Sequence, residues 1–394
     1  MPGLRTAVAI GLTQMVNWGI SYYAIGVFGP AIAADLGWSM AQTYAGFSAA
    51  LVVMGLSSAP VGRMVETWGG RVVLPGGSLL LVSGFLMLAG AQGVMLYALA
   101  WLALGLGMRM SLYEAAFAAL VRAGGLGARR AVSQVTLLGG LASTVFWPIG
   151  HLLIEALGWR GALVVYAGLA LLMLPLYRTI PPGRAVPEAA GGRKSADAEA
   201  PVRVSAALLF AAMIAAVSFL SSGLSAHLIG MLSGFGMTVA GAVALAALPG
   251  IAQSCARLVE VIFGHRLDPL ALGVVAATVL AVGMLAALGA AGAGPVAALF
   301  VLAYGAGNGL LTVVRGAQPL VLFPVARYAV IAGRLIAPSF FAAAAAPLVY
   351  AWVIETFGPR AAAGLSLGLA LTALGCAWTL WARVGPTPPL GKGT

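Results

Sequence analysis

Long apolar runs recur from one end of the chain to the other, separated by short breaks rich in glycine, proline and charged residues. Twelve are read, at about residues 7–33, 40–61, 72–92, 94–121, 132–154, 161–177, 204–232, 239–259, 270–290, 295–322, 330–353 and 361–382; they are called spans 1 to 12. A helix rising 1.5 Å per residue needs roughly 20 residues to cross a hydrocarbon layer of about 30 Å. Lipid offers the backbone no hydrogen-bond partner, so a crossing segment must satisfy itself as a helix or join a closed barrel. The polar–apolar alternation of a membrane strand is absent, and the pattern predicts an all-α membrane protein with twelve transmembrane helices.

Composition strengthens that picture. Hydrophobic residues are 61% of the 394 and charged residues 8%, and the mean hydropathy is +1.02. A soluble domain carries about 25% charged residues because its surface faces water. The net charge of +11 raises the question of nucleic acid, and its distribution answers it. With the N-terminus inside and the spans alternating, seventeen of the 21 basic residues fall on the inner side; Arg160 and Arg360 fall outside, and Arg109 and Arg315 lie within spans. Excess positive charge marks cytoplasmic loops, so both termini are expected in the cytoplasm, and no basic–aromatic module points to nucleic acid. Span 1 is too long and too polar, with Gln14, Asn17 and two tyrosines, for a cleaved signal peptide. The two cysteines, Cys255 and Cys376, form neither a disulfide framework nor a metal cluster. The preference for arginine over lysine, with abundant alanine and glycine, points to a bacterial genome and an inner-membrane location.

The least apolar stretch, 179–203, mixes proline, glycine and both charge signs and reads as a cytoplasmic linker. It divides the chain into an N-terminal six-helix half, 1–178, and a C-terminal half, 204–394. The halves repeat. Gly62-Arg63-Met64-Val65-Glu66 returns as Ala256-Arg257-Leu258-Val259-Glu260, Gly105-Leu106-Gly107 as Gly305-Ala306-Gly307, and Glu155-Ala156-Leu157-Gly158-Trp159-Arg160 as Glu355-Thr356-Phe357-Gly358-Pro359-Arg360, at offsets of 194, 200 and 200. Three matches in order at half the chain length imply duplication into two parallel six-helix halves.

The run Gly62-Arg63-Met64-Val65-Glu66-Thr67-Trp68-Gly69-Gly70-Arg71 resembles the signature between helices 2 and 3 of the major facilitator superfamily, with Glu66 for the usual aspartate and Met64 for the leucine. Gly158-Trp159-Arg160 resembles another feature of that superfamily. The resemblance covers the whole chain and implies the superfamily's fold, with helices 1, 4, 7 and 10 lining a central cavity. It also implies that Arg63, Glu66 and Arg71, with Arg257 and Glu260 as their repeat counterparts, form a cytoplasmic gating latch. Within the superfamily, Tyr23 to Phe28, Arg129-Arg130 and Pro148 look like the monocarboxylate-porter branch. There an acid and an arginine lie four residues apart on helix 8; here those positions are Gln253 and Arg257, and the branch's helix 1 lysine has no counterpart. The runs Leu112 to Ala118 and Ala142 to Pro148 look like bacterial permeases, some assigned to arsenite efflux.

A charge inside hydrocarbon costs at least ~2.5–3.5 kcal/mol, so polar residues within spans mark a cavity, a partner or both. On span 10, Tyr304, Asn308, Thr312, Arg315 and Gln318 recur every three or four residues and share one helical face. That stripe lines a solute pathway, with Arg315 as the cation for an anionic group, or it glues helices together. Span 1 carries Gln14, Asn17, Ser21 and Tyr22, where Asn17 and Tyr22 face the cavity or serve packing and interfacial anchoring. Span 4 holds Arg109 and Glu114, five residues and about 140° apart on a continuous helix. Glu114 is the proton-coupling candidate, or half of an ion pair with Arg315 or Arg109. Span 7 has a hydroxyl face of Ser218, Ser221, Ser222 and Ser225, with His227 off it. Gly139-Gly140 and Trp147-Pro148 of span 5 partly resemble the superfamily's antiporter motif, but Trp147 replaces its glycine, and a proline-kinked helix with small residues for close packing accounts for them better.

These features predict a secondary transporter, not an enzyme, with no cofactor and no metal. Its cargo is expected to be a small organic anion moved by alternating access, with protons as the coupling ion and with Arg315, Asn308, Thr312, Tyr304, Arg109, Asn17 and Tyr22 as binding residues. Efflux of drugs, toxic metabolites or arsenite is the alternative, and a transporter-like receptor a remote one. A monomer in the bilayer is expected.

Overall fold

The computed structural model describes residues 3–124, 128–182, 204–263, 268–290, 294–322 and 328–385. Most of the predicted linker, 183–203, lies outside them, as do the side chains of Arg129 and Arg130. Among the described residues every regular element is a helix.

Span 1 runs Leu4–Leu36 and contains a π-helical stretch, Trp18–Tyr22. Span 2 is two helices, Met40–Leu56 and Ser58–Trp68, bent by 54°. Span 3 is Gly70–Ala89. Span 4 is broken at the extended residue Leu112 into Val94–Ser111 and Tyr113–Gly124. The apolar helical stretch Gln134–Thr179 has 46 residues, about 70 Å at ~1.5 Å each, too long for one crossing. It turns at Gly158, with φ 68° and ψ 167°, and so supplies spans 5 and 6. Spans 7 to 12 are Val204–Gly234, Val239–Phe263, Pro269–Leu288, Gly294–Leu322, Tyr328–Phe357 and Pro359–Val384. The described residues hold ten helical stretches long and apolar enough to cross a membrane, eleven with the bent pair of span 2, and dividing Gln134–Thr179 at Gly158 matches them to the expected twelve. Large apolar side chains such as Leu86, Leu152, Leu285, Trp352 and Trp378 stay exposed, as lipid-facing positions should.

The duplication read from the sequence reappears as geometry. Gly158 and its counterpart Gly358 both adopt positive φ with ψ near 170°, a region open essentially to glycine alone, and each turns the chain between two spans. The Gly-x-Gly pairs do the same work in both halves. A Cβ on Gly105 would meet the Ala50 carbonyl oxygen at 2.5 Å, and one on Gly305 the Pro249 oxygen at 2.3 Å. Two residues on, on the other side of each helix, a Cβ on Gly107 would lie 3.0 Å from the backbone of span 3 and one on Gly307 2.8 Å from that of span 9. Spans 4 and 10 are thereby locked against two neighbours each.

Two large buried clusters form the core, with a small third one of Ala206, Leu270 and Leu380. One draws on spans 1 to 6, with Ala226, Phe340, Ala343, Ala344 and Ala351 reaching in; the other draws on spans 7 to 12, with Trp147 reaching in. The halves meet where span 2 packs on span 11 and span 5 on span 8. The second seam is close: Ser254 donates to the Leu137 carbonyl at 2.9 Å and Thr144 to the Ala247 carbonyl at 2.7 Å. Gly250 faces Thr144, and Gly140 faces Ser254. Here the Gly139-Gly140 pair serves packing.

Adding a methyl group where backbone already fills the space forces the spans apart. Gly305→Ala is expected to lose about 1–3 kcal/mol of stability, whereas Gly368→Ala, with nothing within 4 Å of its added carbon, should be neutral. Thermal unfolding of both variants in detergent checks this; equal melting temperatures would show that the close approach contributes nothing.

Candidate functional site

The charged centre lies between the halves. Glu114 stands in the first turn of the helix that restarts after Leu112, where the helix dipole favours a carboxylate. Its Oε1 lies 3.3 Å from Nη2 of Arg315 on span 10, and both side chains keep 27% of their surface exposed. Nη2 is not aligned for a hydrogen bond, so the contact is an ion pair by distance alone. The Arg315 guanidinium also lies over the Phe340 ring of span 11, 5.6 Å from its centre. One pair thus joins spans 4 and 10.

Arg109 takes a different route. It occupies the last turn before Leu112 and is 7% exposed. Its Nη2 donates to the Ser58 hydroxyl at 2.9 Å and to the Ser58 carbonyl at 3.2 Å, at the bend of span 2. Its Nε and Nη1 are buried without partners. The break at Leu112, together with the five-residue spacing, sends Arg109 and Glu114 to different neighbours.

The remaining expected residues divide. Asn308 accepts from Ser221 of span 7 at 2.7 Å, and the Thr312 hydroxyl donates to the Asn308 carbonyl at 2.9 Å. Tyr304 is buried beside Ser221 and Ser225. Gln318 leaves this group: it is fully buried and donates to the Pro269 carbonyl at the start of span 9. Tyr22 is half-buried and faces Ser222, near Arg315 and Glu114. Asn17 is fully buried inside the N-terminal half and donates to the Tyr177 hydroxyl at 2.8 Å, which also bonds Ser78. His227 bonds the Pro347 carbonyl at 2.8 Å and packs edge-on to Tyr44, a structural setting.

Sequence reasoning missed an aromatic group around span 1. The π-helical stretch widens the turn so that Trp18, Tyr22 and Tyr23 crowd together; such stretches recur at functional sites. Trp18 also lies 5.2 Å from Tyr113, which stacks on Phe117 at 5.1 Å. Tyr23 meets Trp147 edge to face. No periodicity in a single span reveals this group, because its members come from spans 1, 4 and 5.

The residues of the expected latch each make contacts of their own. Arg63 and Glu66 are exposed, and Glu66 forms no ion pair among the described residues. Arg71 donates to the carbonyls of Ile180 and Arg178 at the end of span 6. Arg122, which the sequence did not single out, holds the end of span 2 through the Val65 carbonyl at 2.8 Å. Arg257 is 2% exposed and donates to the carbonyls of Thr136 and Gly309 and to Gln253 Oε1. It lies inside the seam between the halves, with no carboxylate within 4 Å among the described residues. Glu260, one turn on, is half-buried.

Residues 10–335 match the Major Facilitator Superfamily. The chain belongs to that superfamily. Its members are transporters, and the apolar helices make this chain a multi-pass membrane protein. Among solved superfamily folds, nucleoside transporter NupG superposes with a TM-score of 0.70 at 13% identity, and human organic anion transporter MFSD10 with 0.68 at 16%. Each comparison covers 96% of this chain and 100% of the other, and each shows the fold alone. Among curated relatives, multidrug resistance protein MdtL of Escherichia coli strain UTI89 is 32% identical over 176 residues, and MdtL of Shewanella oneidensis 30% over 171. These alignments span 43% of this chain and 43% and 42% of the relatives' lengths.

If Glu114 and Arg315 act as a pair, removing both costs less than the sum of removing each. A double-mutant cycle of Glu114→Gln and Arg315→Gln, read by thermal unfolding in detergent, is expected to give a coupling of ~0.5–3 kcal/mol. Additive losses would mean that the two charges are independent.

Proposed function

We propose that this transporter moves a small organic anion across a bacterial inner membrane by alternating access, with Glu114 carrying the coupled proton. The observation that carries the reading is charge imbalance at the junction of the halves. Arg109 and Arg257 are buried and Arg315 is half-buried, each on its own partners, and Glu114 is the single carboxylate paired with any of them among the described residues. Buried positive charge without a counter-ion is unfavourable, and an incoming anion relieves it. The aromatic group of Trp18, Tyr22, Tyr23, Tyr113 and Phe117 suits an apolar body attached to that charge.

The Glu114–Arg315 pair supplies a coupling route. An anion that competes for Arg315 releases Glu114, whose carboxylate then takes up a proton; loss of the anion restores the pair. Because the pair links spans 4 and 10, its breakage loosens one half from the other, which a rocking motion requires. In this reading the halves are residues 1–178 and 204–394, joined by the linker 179–203, both termini are cytoplasmic, and the unit is a monomer. Arg63, Glu66, Arg71, Arg257 and Glu260 gate the cytoplasmic side, and Arg257 is the member already seated between the halves.

A second reading, drug efflux, draws on the likeness to the MdtL proteins and on the same aromatic group, which suits flat apolar solutes. Uptake by proteoliposomes separates the two. Small carboxylates, a cationic dye and arsenite are each offered with and without an imposed pH gradient. The anion reading expects carboxylate accumulation driven by the gradient and a loss of about 10–100-fold in Arg315→Gln, the worth of one charged hydrogen bond. Full carboxylate transport by a folded Arg315→Gln protein, or transport of the dye alone, would sink it. Glu114→Gln is expected to uncouple carboxylate movement from the gradient; if uptake still follows the gradient, Glu114 is not the proton site.

A further inference from the structure

Accessibility divides the centre of the molecule into two zones. Glu114, Arg315, Thr312, Asn308 and Ser221 all keep part of their surface exposed. Toward the face opposite the chain ends, the outer face in the proposed orientation, the same spans close up. Tyr304 of span 10, Ser225 and Leu228 of span 7, and Ile25 and Phe28 of span 1 are buried there. The halves meet in this zone at two points. A Cβ on Gly26 of span 1 would lie 2.5 Å from the Ser225 carbonyl oxygen of span 7. Tyr44, near the start of span 2, donates its hydroxyl to the Ala226 carbonyl at 3.2 Å.

His227 completes this closure. Its ring is 7% exposed and lies edge-on to Tyr44, 4.4 Å between centroids, and parallel to Tyr350 of span 11 at 6.4 Å. Tyr44, from the other half, is the side chain that covers it. The Nε2 atom bonds the Pro347 carbonyl at 2.8 Å. A carbonyl only accepts, so Nε2 carries the hydrogen and Nδ1 is the nitrogen left to take a proton. The titratable side chains facing the ring are Tyr44 from span 2 and Tyr350 from span 11. Among the described residues, spans 1, 8, 10 and 12 bring no charged side chain against it, and no carboxylate lies within 4 Å. A cation enclosed there would lack a counter-charge, and contact with two tyrosine rings offsets only part of that cost.

We infer that His227 is a proton-sensitive lock on the outer closure between the halves. Neutral, it packs under Tyr44 and the closure holds. When spans 1 and 2 draw away from span 7, water reaches the ring, and a hydrated imidazole takes up a proton near about pH 6.5. Below that pH the added proton stabilises the open form and opposes reclosure, because the imidazolium would have to be buried again. An acidic outer medium therefore shifts the population toward the outward-open form. This lock leaves the cargo and Glu114 untouched and requires only that the halves part at the outer face, so it reaches beyond the transport reading.

The test uses the full chain in lipid nanodiscs, with Cys255 and Cys376 replaced by serine and spin labels at Gln92 and Thr238, exposed positions on outer connections of the two halves. Pulsed electron paramagnetic resonance then reads the distance across the closure. Between about pH 8 and about pH 5 the otherwise unaltered chain is expected to gain a longer-distance population. Its ratio to the short one should rise by up to about tenfold per pH unit, the slope of one linked proton. His227→Gln, neutral at every pH, should stay short throughout, and Glu114→Gln should respond as the unaltered chain does. Tyr44→Phe, which loses only the bond to the Ala226 carbonyl, should move the midpoint up by about half to one pH unit, the worth of one hydrogen bond. It decides the matter if His227→Gln does not fold. A distance that ignores pH overturns the lock, as does an unshifted midpoint in Tyr44→Phe. A response kept in His227→Gln and lost in Glu114→Gln also overturns it, while supporting Glu114 as the proton site, so the two readings fail separately.

Discussion

Helices in a bilayer are not driven together by the hydrophobic effect, because lipid tails are as apolar as the helix sides; backbones must come close enough for dispersion and polar contacts to hold them. The rest of this structure depends on that constraint. Gly105 against Ala50 and Gly305 against Pro249 let spans 4 and 10 touch the backbones of spans 2 and 8, while Gly107 and Gly307 do the same toward spans 3 and 9. Each half packs closely around span 4 or span 10, which bear Arg109 and Glu114, and Arg315. Arg109, Glu114 and Arg315 are therefore held in place by packing that involves no charge.

Where the glycines bring helices together, the breaks in the helices make room for chemistry. The π-helical stretch of span 1, the bend of span 2 and the extended residue Leu112 of span 4 all occur beside the charged or aromatic residues at the centre. A broken helix frees backbone groups that lipid cannot satisfy, so such breaks survive only where protein or water lies against them. At Leu112 the break also ends one helix behind Arg109 and begins another ahead of Glu114, so each charge sits at the helix end that favours it. At the bend of span 2 the sign is opposite, and the helix start faces a guanidinium.

The number of crossings, the duplication and the presence of charges within spans 4 and 10 were legible in the residues. So were Glu114–Arg315, as one of two partnerships open to Glu114, and the Asn308–Thr312 segment of span 10. Other assignments shifted once neighbouring spans were in place. Gln318 belongs to the same helical stripe as Arg315 but turns to span 9, and Asn17 turns to Tyr177 inside its own half. Periodicity defines a face of one helix; it does not say whether that face meets a cavity or another helix along its whole length. The aromatic group of Trp18, Tyr23, Tyr113 and Trp147 was hidden for the same reason.

By itself the sequence determined what each segment can be. An apolar run of membrane length has no alternative to a self-satisfied helix, basic residues have a preferred side, and a repeated glycine marks a repeated close contact. Only the tertiary structure decided which charges meet. Arg109, Arg257 and Arg315 look alike along the chain, yet one lies on a helix start, one on carbonyls in the seam and one against a carboxylate. That choice depends on distances of a few ångströms between segments up to about two hundred residues apart, and on where helices break, which local composition does not encode.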